Sequence, residues 1–280
     1  MLTFNAGEEF SEILDLINQQ AKFLFRKLII DSGSKDRTVK LALEKGFEVM
    51  EITSSEFGHG KTRTLAAREL SDCRYVIYMT HDVFLQECAL KNLLEFIESD
   101  SGLGIVYGRQ EVDIKKSNIF EKRAREFNYP SESMIKTYDD KDKLGIKTVF
   151  SSDAFAIYDI DLLKEIGFFP EVQFAEDMIV AANFIQNGYG VGYCADAKVY
   201  HSHNYSAIDE YKRYKEIGRF HREQPWIQES FGSNESEGLK AVTSEFSYLI
   251  KAGKIHLLPS SFLRFSCKYL GYKQGYLKQR

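Results

Sequence analysis

The sequence lacks the features that mark several large classes of protein. Its four cysteines show no CxxC pairing and no close spacing to histidine, which argues against a zinc site or a disulfide framework and fits a reducing compartment. No stretch reaches the roughly 18 apolar residues that a membrane-spanning helix needs, and the opening residues MLTFNAGEEF carry no basic and apolar leader. The net charge of −4 lacks the basic excess of nucleic-acid-binding proteins. We therefore expect a cytoplasmic enzyme that binds no nucleic acid.

Acidic residues are also missing from the end of the chain. None follows Glu245, whereas residues 251–280 carry seven lysines and arginines interleaved with aromatic and aliphatic side chains. Cations near an anionic leaflet contribute on the order of 1 kcal/mol each, and apolar groups add burial at the interface. This composition predicts peripheral contact with an anionic membrane. A helix packed on the protein with a solvated basic face explains the same residues and remains the alternative.

The first half of the chain alternates helix-like and strand-like segments. Apolar positions repeat at helical spacing over 8–20, and the short apolar runs at 27–30 and 75–79 are typical of buried strands. This alternation predicts an α/β fold with a mostly parallel sheet flanked by helices. Further strands are expected at 47–52, 104–107, 148–150, 154–158 and 189–194, and helices at 35–45, 61–70, 87–98, 117–127, 161–166, 176–186 and 206–222. We expect one α/β domain over residues 1–205 and a helical, basic C-terminal extension over 206–280.

Polar residues directly follow three of the predicted strands. Asp31 follows the first, a loop at 53–62 follows the second, and Asp82 follows the third. Ligands of open parallel sheets bind outside the carboxyl ends of the strands, so three such sites on one edge indicate a binding site. Each Asp alone is also explained by an ordinary turn or helix cap.

The segment 57–63 combines two glycines with two cations and leads into a predicted helix. Glycines allow close approach of an anion, and the helix N-terminus supplies free N–H groups, to which Lys61 and Arg63 add charge. A phosphate cradle is one interpretation, and a turn with solvated basic residues is the other. The overlapping residues 55–62 nearly match the P-loop pattern G-x-x-x-x-G-K-[ST], with Ser55 in place of its first glycine. A P-loop nucleoside triphosphatase is therefore the alternative enzyme class.

Other acidic and imidazole side chains are candidates for metal binding and proton transfer. Asp82 is the leading ligand for a hard divalent cation, Mg²⁺ or Mn²⁺, because such ions prefer carboxylate oxygens. His201 follows a later predicted strand and offers an imidazole, which suits manganese. Glu176 and Asp177 open a predicted helix, where a carboxylate is also an ordinary first-turn residue.

Taken together, these segments resemble the family-2 glycosyltransferases of the GT-A fold, a nucleotide-diphospho-sugar transferase fold related to the Rossmann fold. The likeness is greatest to a bacterial rhamnosyltransferase-like branch and runs from Thr3 to about Phe220. It rests on the order and spacing of TFNAG at 3–7, IIDSGSKDRT at 29–38, FGHGKTR at 57–63, THD at 80–82, YGRQ at 107–110, FNYP at 127–130, LGIKT at 144–148, EDM at 176–178 and YHSHNY at 200–205.

The resemblance implies an inverting, metal-dependent enzyme. Such an enzyme moves a sugar from a nucleoside-diphosphate donor, in this branch usually dTDP-L-rhamnose, to a saccharide or lipid-linked acceptor of a cell-surface polysaccharide. By residue, it implies that Thr3 and Asn5 line the nucleoside pocket, Asp31 accepts the pyrimidine N–H, Lys61 and Arg63 lie near the diphosphate, Asp82 and His201 hold the divalent metal, and Asp177 is the catalytic base. Glu176 is the rival for the role of base, but its position next to Asp177 is expected to point it elsewhere, to acceptor binding or a structural pair.

The sequence departs from the family pattern at several positions. His81 and Val83 stand where relatives often have Gln and Ala, and they flank the predicted metal site, so metal affinity or donor choice is expected to differ. Thr64 and Asp153 each replace a frequent Asn. Relatives also have an apolar strand before the TFNAG segment, so we expect either that the first strand lacks its upstream half here or that the true start of the protein lies upstream. A catalytically inactive, transferase-like binding subunit is the non-enzymatic alternative, and donor hydrolysis would distinguish it from an enzyme.

Overall fold

The computed structural model describes residues 1–24 and 26–277, with the side chains of 234–236 left aside. Its strands are β1 (Leu2–Thr3), β2 (Leu28–Asp31), β3 (Glu48–Glu51), β4 (Tyr75–Met79), β5 (Phe84–Leu85), β6 (Leu103–Glu111), β7 (Met134–Lys136), β8 (Phe155–Asp159) and β9 (Gly190–Tyr200). Its α-helices are α1 (Phe10–Gln20), α2 (Thr38–Glu44), α3 (His59–Glu69), α4 (Ala89–Glu98), α5 (Ile119–Asn128), α6 (Lys141–Leu144), α7 (Ile160–Glu165), α8 (Glu176–Gln186), α9 (Ala207–Glu223), α10 (Pro225–Phe231), α11 (Asn234–Lys251) and α12 (Leu258–Tyr276). Short 3₁₀ turns lie at Ala21–Phe23, Tyr138–Asp140, Gly145–Val149 and Ile255–Leu257.

The chain forms two compact units that exchange segments along the sequence. The first unit comprises 1–110, 131–138 and 149–201, and the second comprises 111–130, 139–148 and 202–280. In this division, two segments from before residue 205 group with the C-terminal helices. The predicted domain boundary at residue 205 stays a prediction. The last three residues of the predicted basic tail, 278–280, lie outside the described residues.

The sheet of the first unit confirms the α/β class. Strands β1, β2 and β3 are parallel neighbours, as the alternating pattern predicts. The second group of strands runs in the order β4-β8-β6-β9-β5, with β7 also paired to β9. Its β4–β8, β6–β8, β5–β9 and β7–β9 pairs are antiparallel. Among the described residues, the expected parallel pairing is found in the first three strands and in a bridge between Leu2 and Thr80. The antiparallel pairs arise because β8 inserts between β4 and β6. These two strands run in the same direction, as a helical crossover through α4 requires, and β8 runs in the opposite direction.

A single apolar cluster explains how the first unit is held together. The helical face predicted for 8–20 is buried on α1, with Phe10 and Leu14 fully shielded. This face joins Leu93 of α4 and Phe155 and Ile157 of β8 in one core. At roughly 1.5–3 kcal/mol for each large side chain taken out of water, the cluster is the main stabilising term for the sheet that carries the strand-end residues.

Two segments differ from the predicted secondary structure. Residues 148–150 were expected to be a strand because Thr148, Val149 and Phe150 favour extended backbone, yet 145–149 form a 3₁₀ turn. Gly145 enters this turn at a φ of 57°, and Val149 is fully buried there, so tertiary packing overrides local propensity. The strand expected at 189–194 runs on to Tyr200 as β9, which brings residue 201 to the end of the sheet.

The second unit is helical, and its long helices α9 and α12 pack at very short range. A Cβ at Gly275 would overlap the carbonyl oxygen of Lys215, and Cβ atoms at Gly218 and Gly271 would likewise meet backbone of the facing helix. The helix predicted at 206–222 is confirmed as α9, which begins with a capping box between Ser206 and Asp209. Within the described ranges 1–24 and 26–277, no helix is both long enough and apolar enough to cross a bilayer.

Candidate active site

All of the predicted site residues belong to the first unit, and Asp31 lies at the carboxyl end of β2. Its side chain is fully buried and accepts hydrogen bonds at both oxygens. Thr3 Oγ donates to Oδ2 at 2.8 Å, Ser34 Oγ to the same oxygen at 2.6 Å, and the N–H groups of Gly33 and Ser34 to Oδ1 at 3.0 and 2.8 Å. These four bonds occupy the acceptor positions of the carboxylate. Asp31 therefore fixes the conformation of the loop that follows β2.

Asn5 ties the first loop to the same turn. Its side-chain oxygen accepts the N–H of Lys35 at 2.8 Å, and its own N–H donates to Ser34 Oγ at 2.8 Å. The backbone at Asn5 has a φ of 46°, a left-handed conformation that Asn tolerates better than most residues. Residues 3–5 and 31–35 therefore form one polar wall beside β1 and β2.

The two cations of the 57–63 segment have different surroundings. Lys61 is exposed in the first turn of α3, whereas Arg63 is buried, with 6 % of its surface accessible. Gly60 is required here because a Cβ would overlap the carbonyl oxygen of Pro170. Thr64, where relatives often have Asn, accepts the N–H of Phe169 at 3.2 Å and fixes the same approach.

Arg63 holds two acidic side chains from different parts of the fold. Its Nε lies 3.0 Å from Asp153 Oδ2, and its Nη1 donates to Glu176 Oε1. Asp153 and Glu176 are themselves buried, at 2 % and 7 % exposure. The Tyr78 hydroxyl donates to the carbonyl oxygen of Arg63 at 2.7 Å. A buried charge cluster of this kind is maintained by mutual pairing, because each charge alone would be costly.

Asp177 stands next to this cluster at the start of α8. Its Oδ1 accepts the N–H of Met178 at 2.8 Å, and its carbonyl oxygen accepts the Ser151 hydroxyl at 3.0 Å. Burial raises the pKa of the Asp177 carboxyl from 3.8 to about 8, with the negative charges of Asp153 and Glu176 adding to the rise. A carboxyl whose pKa lies near neutrality is suited to proton transfer, because it exchanges its proton readily at working pH.

Asp82 and His201 meet at the end of the antiparallel β5–β9 pair. In that pairing Phe84 lies opposite Tyr200, so the residues just beyond, Asp82 and His201, fall at the same end. His201 Nε2 lies 3.4 Å from Asp82 Oδ2. The other ring nitrogen, Nδ1, lies 2.9 Å from the side-chain oxygen of Gln110, which is buried and donates to Ser152 Oγ at 2.9 Å.

This arrangement fits a divalent cation. An amide oxygen only accepts, so the Gln110 oxygen faces an N–H at Nδ1 of His201, and the other ring nitrogen, Nε2, faces the Asp82 carboxylate. A carboxylate oxygen and an imidazole nitrogen at this spacing are groups that a metal ion would bring together. The outer hydrogen bond from Nδ1 to Gln110 is the kind that orients metal-binding histidines.

Sequence inspection missed the segment that connects these parts. Three consecutive residues after 150 each bind a different element: Ser151 binds the Asp177 carbonyl, Ser152 binds Gln110, and Asp153 binds Arg63. The sequence flagged Asp153 as a departure and Gln110 as part of a motif, but gave neither a role. Because the partners are 26 to 90 positions away in sequence, no local pattern could have revealed them.

The fold and site define a class of protein: a GT-A glycosyltransferase. The family model described as "Glycosyl transferase family 2" matches residues 1–167, more than half of the chain, and the chain belongs to that family. The match includes residues 55–62, so the P-loop interpretation of that segment gains no support.

Named relatives agree with this assignment over nearly the whole chain. The O-antigen chain rhamnosyltransferase RfbN of Salmonella typhimurium is 44 % identical, with 98 % of this chain and 87 % of the relative covered. The O-antigen chain rhamnosyltransferase WbaN of Salmonella anatum is 39 % identical over the same shares. Among solved structures, the mannosyltransferase PcManGT of Pyrobaculum calidifontis, in complex with GDP-Man and Mn²⁺, has a TM-score of 0.62 at 14 % identity, covering 96 % of this chain and 82 % of its own. That likeness shows the fold.

Proposed function

We propose that this glycosyltransferase moves L-rhamnose from dTDP-L-rhamnose to a growing O-antigen chain or related lipid-linked glycan, with inversion at the anomeric carbon. The observation that carries the proposal is the 44 % identity to an O-antigen chain rhamnosyltransferase over 98 % of this chain. Residues at the strand ends and at the start of α8 support it, since they supply a nucleoside wall, a cation site and a partly buried carboxyl on one fold.

The nucleoside end of the donor is assigned to Thr3, Asn5 and Asp31. In this assignment a pyrimidine N–H shares Asp31 with the Thr3 and Ser34 hydroxyls, which can rotate away. The exposed ammonium of Lys61 is the better candidate for the diphosphate, because the guanidinium of Arg63 is engaged by Asp153 and Glu176. We therefore propose that Arg63 acts near the donor through the acidic side chains that it holds.

Asp82 and His201 are the residues that would hold a divalent metal ion, Mg²⁺ or Mn²⁺. A cation there would neutralise charge on the departing diphosphate as a Lewis acid. The chain's own contribution is to orient the ligands: Gln110 fixes the tautomer of His201, and the β5–β9 pairing fixes the position of Asp82.

Asp177 is the proposed general base. Inversion requires a single displacement, in which the acceptor hydroxyl loses its proton as it attacks, and a positioned base contributes typically about 10²–10⁴-fold. The hydrogen bond from the N–H of Met178 fixes one oxygen of Asp177. The neighbouring Glu176 is proposed for acceptor binding because its position next to Asp177 points it elsewhere, and its contact with Arg63 favours the alternative of a structural pair.

The outer face of α12 is proposed as a contact with an anionic membrane. Large apolar side chains of α12 and of Leu277, which directly follows it, are exposed, from 40 % to 66 %: Phe262, Leu263, Tyr269, Leu270, Tyr276 and Leu277. At 100° per residue these positions span an arc of roughly 140°, broader than the narrow stripe of a coiled-coil seam. A broad apolar face is typical of helices that lie in the interface of a bilayer.

The cations of the tail divide between two environments. Arg264 and Lys268 point inward and bind Glu210 at 2.9 and 3.5 Å, which removes them from any surface role. Lys251 and Lys254 are exposed. We therefore propose that apolar insertion contributes more than charge to docking. Vesicle sedimentation tests this: Leu270→Ser should weaken binding to anionic vesicles, the matched surface variant Leu239→Ser on α11 should not, and equal binding of neutral and anionic vesicles by the unaltered protein would contradict a role for charge.

A panel of nucleotide sugars tests the donor assignment. The purified protein, with Mg²⁺ or Mn²⁺ present, should hydrolyse or transfer from dTDP-L-rhamnose at least ~10-fold faster than from UDP- or GDP-sugars, and EDTA should abolish the reaction. Preference for another nucleotide sugar would overturn the rhamnose assignment. Failure to turn over any donor, with retained donor binding, would favour the inactive binding subunit.

A further inference from the structure

The charges around the base do not balance. Arg63 contributes one positive charge to a cluster that contains the carboxyls of Asp153, Glu176 and Asp177. Because unpaired charges are costly in a protein interior, a cluster of one cation and three carboxylates favours retention of at least one proton. Which carboxyl holds it depends on the arrangement of the other groups.

The cluster is built from three elements. Arg63 extends from α3, Glu176 and Asp177 begin α8, and Asp153 lies in the segment before β8. That segment also holds the backbone of the base, because Ser151 donates to the Asp177 carbonyl oxygen at 3.0 Å. Arg63 thus binds Glu176, the residue directly before the proposed base, and Asp153 lies two positions after Ser151, which binds the backbone of the base itself.

We propose that Arg63 and Asp153 are positioning residues that act as an opposed charge pair: Asp153 favours the protonated form of Asp177, and Arg63 favours its ionised form. The inference rests on the proposed role of Asp177 as base.

The electrostatics of the neighbouring groups agree with this division. Burial and the charges of Asp153 and Glu176 raise the pKa of Asp177, and Arg63 opposes the rise. Burial raises the pKa of Asp153 itself to about 6, again against the effect of Arg63.

The remaining titratable groups of the cluster come from α3, β4 and β8. They are His59, whose pKa is lowered by burial, and Tyr78 and Tyr158, whose pKa values burial raises well above 10. Tyr158 donates its hydroxyl hydrogen to Asp153. Both tyrosines are neutral between pH 5 and 9. The charges that act on Asp177 are therefore those of Arg63, of Glu176 and, above about pH 6, of Asp153.

Opposite shifts in the pH dependence of kcat/KM test the pair. Asp153→Asn should move the midpoint of the rising limb to lower pH by about one unit, and Arg63→Gln should move it to higher pH by a similar amount, the size typical of a nearby charge. The double variant should return the midpoint toward that of the unaltered protein. Loss of purely structural support would instead lower the rate in each variant without opposed shifts. The matched control is Asp159→Asn, which removes a carboxylate charge at the start of α7 but keeps a side-chain oxygen to cap that helix, and it should leave the midpoint unchanged.

The outcomes separate this inference from the proposed function. If Arg63→Gln does not fold, Asp153→Asn and the double variant still decide the question. An unchanged midpoint in Asp153→Asn, with Asp177→Asn inactive, would overturn the pair and leave the base assignment intact. Transfer at near the unaltered rate by Asp177→Asn would overturn the base itself.

Discussion

The pH dependence of sugar transfer follows from the burial of Asp177. A general base must be ionised to accept a proton, and burial raises the pKa of this carboxyl to about 8. With that value about one tenth of the enzyme has an ionised base at pH 7 and about nine tenths at pH 9. We therefore expect kcat/KM to rise by about 10-fold from pH 7 to pH 9, and by about 10-fold per unit below pH 7.

The assay is the initial rate of donor consumption with acceptor present, at donor concentrations below KM and constant ionic strength. Activity at pH 8 is remeasured after incubation at each pH to exclude inactivation. Asp177→Asn should retain donor binding but lose at least ~100-fold in transfer, and its residual rate should not show the same rise. A flat profile between pH 6 and 9, or a midpoint near 4, would refute the reasoning, because either result means that no carboxyl of raised pKa limits the rate.

Three further predictions concern stability, the metal and the helix pair. The native pKa of Asp177 lies above its unfolded value of 3.8, so the contribution of this carboxyl to stability is present below about pH 4 and is lost as pH rises through about 8. In thermal unfolding, Asp177→Asn should therefore gain stability relative to the unaltered protein between pH 5 and 9. A difference in Tm that stays constant with pH would contradict this. Asp82→Ala should abolish metal-dependent transfer while the circular dichroism spectrum stays the same, and full activity in excess EDTA would disprove the cation site. Gly275→Ala should destabilise the protein by about 1–3 kcal/mol, because the added methyl group overlaps α9. The control Gly238→Ala has open space around it and should be neutral or stabilising by up to about 1 kcal/mol. Equal effects of the two variants in urea titrations would show that α9 and α12 can separate.

The parts of the fold that local patterns encode could be predicted from the sequence. The helical face of 8–20 and the strand 75–79 appear as expected, since each has one periodicity and a clear end. The direction of β8 could not be predicted, because an apolar run such as 154–158 carries no information about the orientation of its neighbours. The same holds for the 3₁₀ turn at 145–149, where burial of Val149 decides the backbone against its propensity.

The candidate site shows the same division. Asp82 and His201 could be selected as ligands because both follow apolar strands, and the structure places them 3.4 Å apart. The sequence predicts Arg63 near the diphosphate because it adds charge to a glycine-rich helix start, and that prediction stays untested; the structure shows its side chain buried against Asp153 and Glu176. Its orientation depends on residues about 90 and 113 positions away, which no local motif could indicate.

The most direct test of the central claim is the anomeric configuration of the product formed from dTDP-L-rhamnose, measured by nuclear magnetic resonance alongside the transfer rates of Asp177→Asn and Glu176→Gln. We predict a rhamnoside of configuration opposite to that of the donor, a loss of at least ~100-fold in Asp177→Asn, and a smaller loss in Glu176→Gln. A product that keeps the donor's configuration, or an Asp177→Asn variant that transfers sugar at near the unaltered rate, would contradict a single displacement with Asp177 as its base.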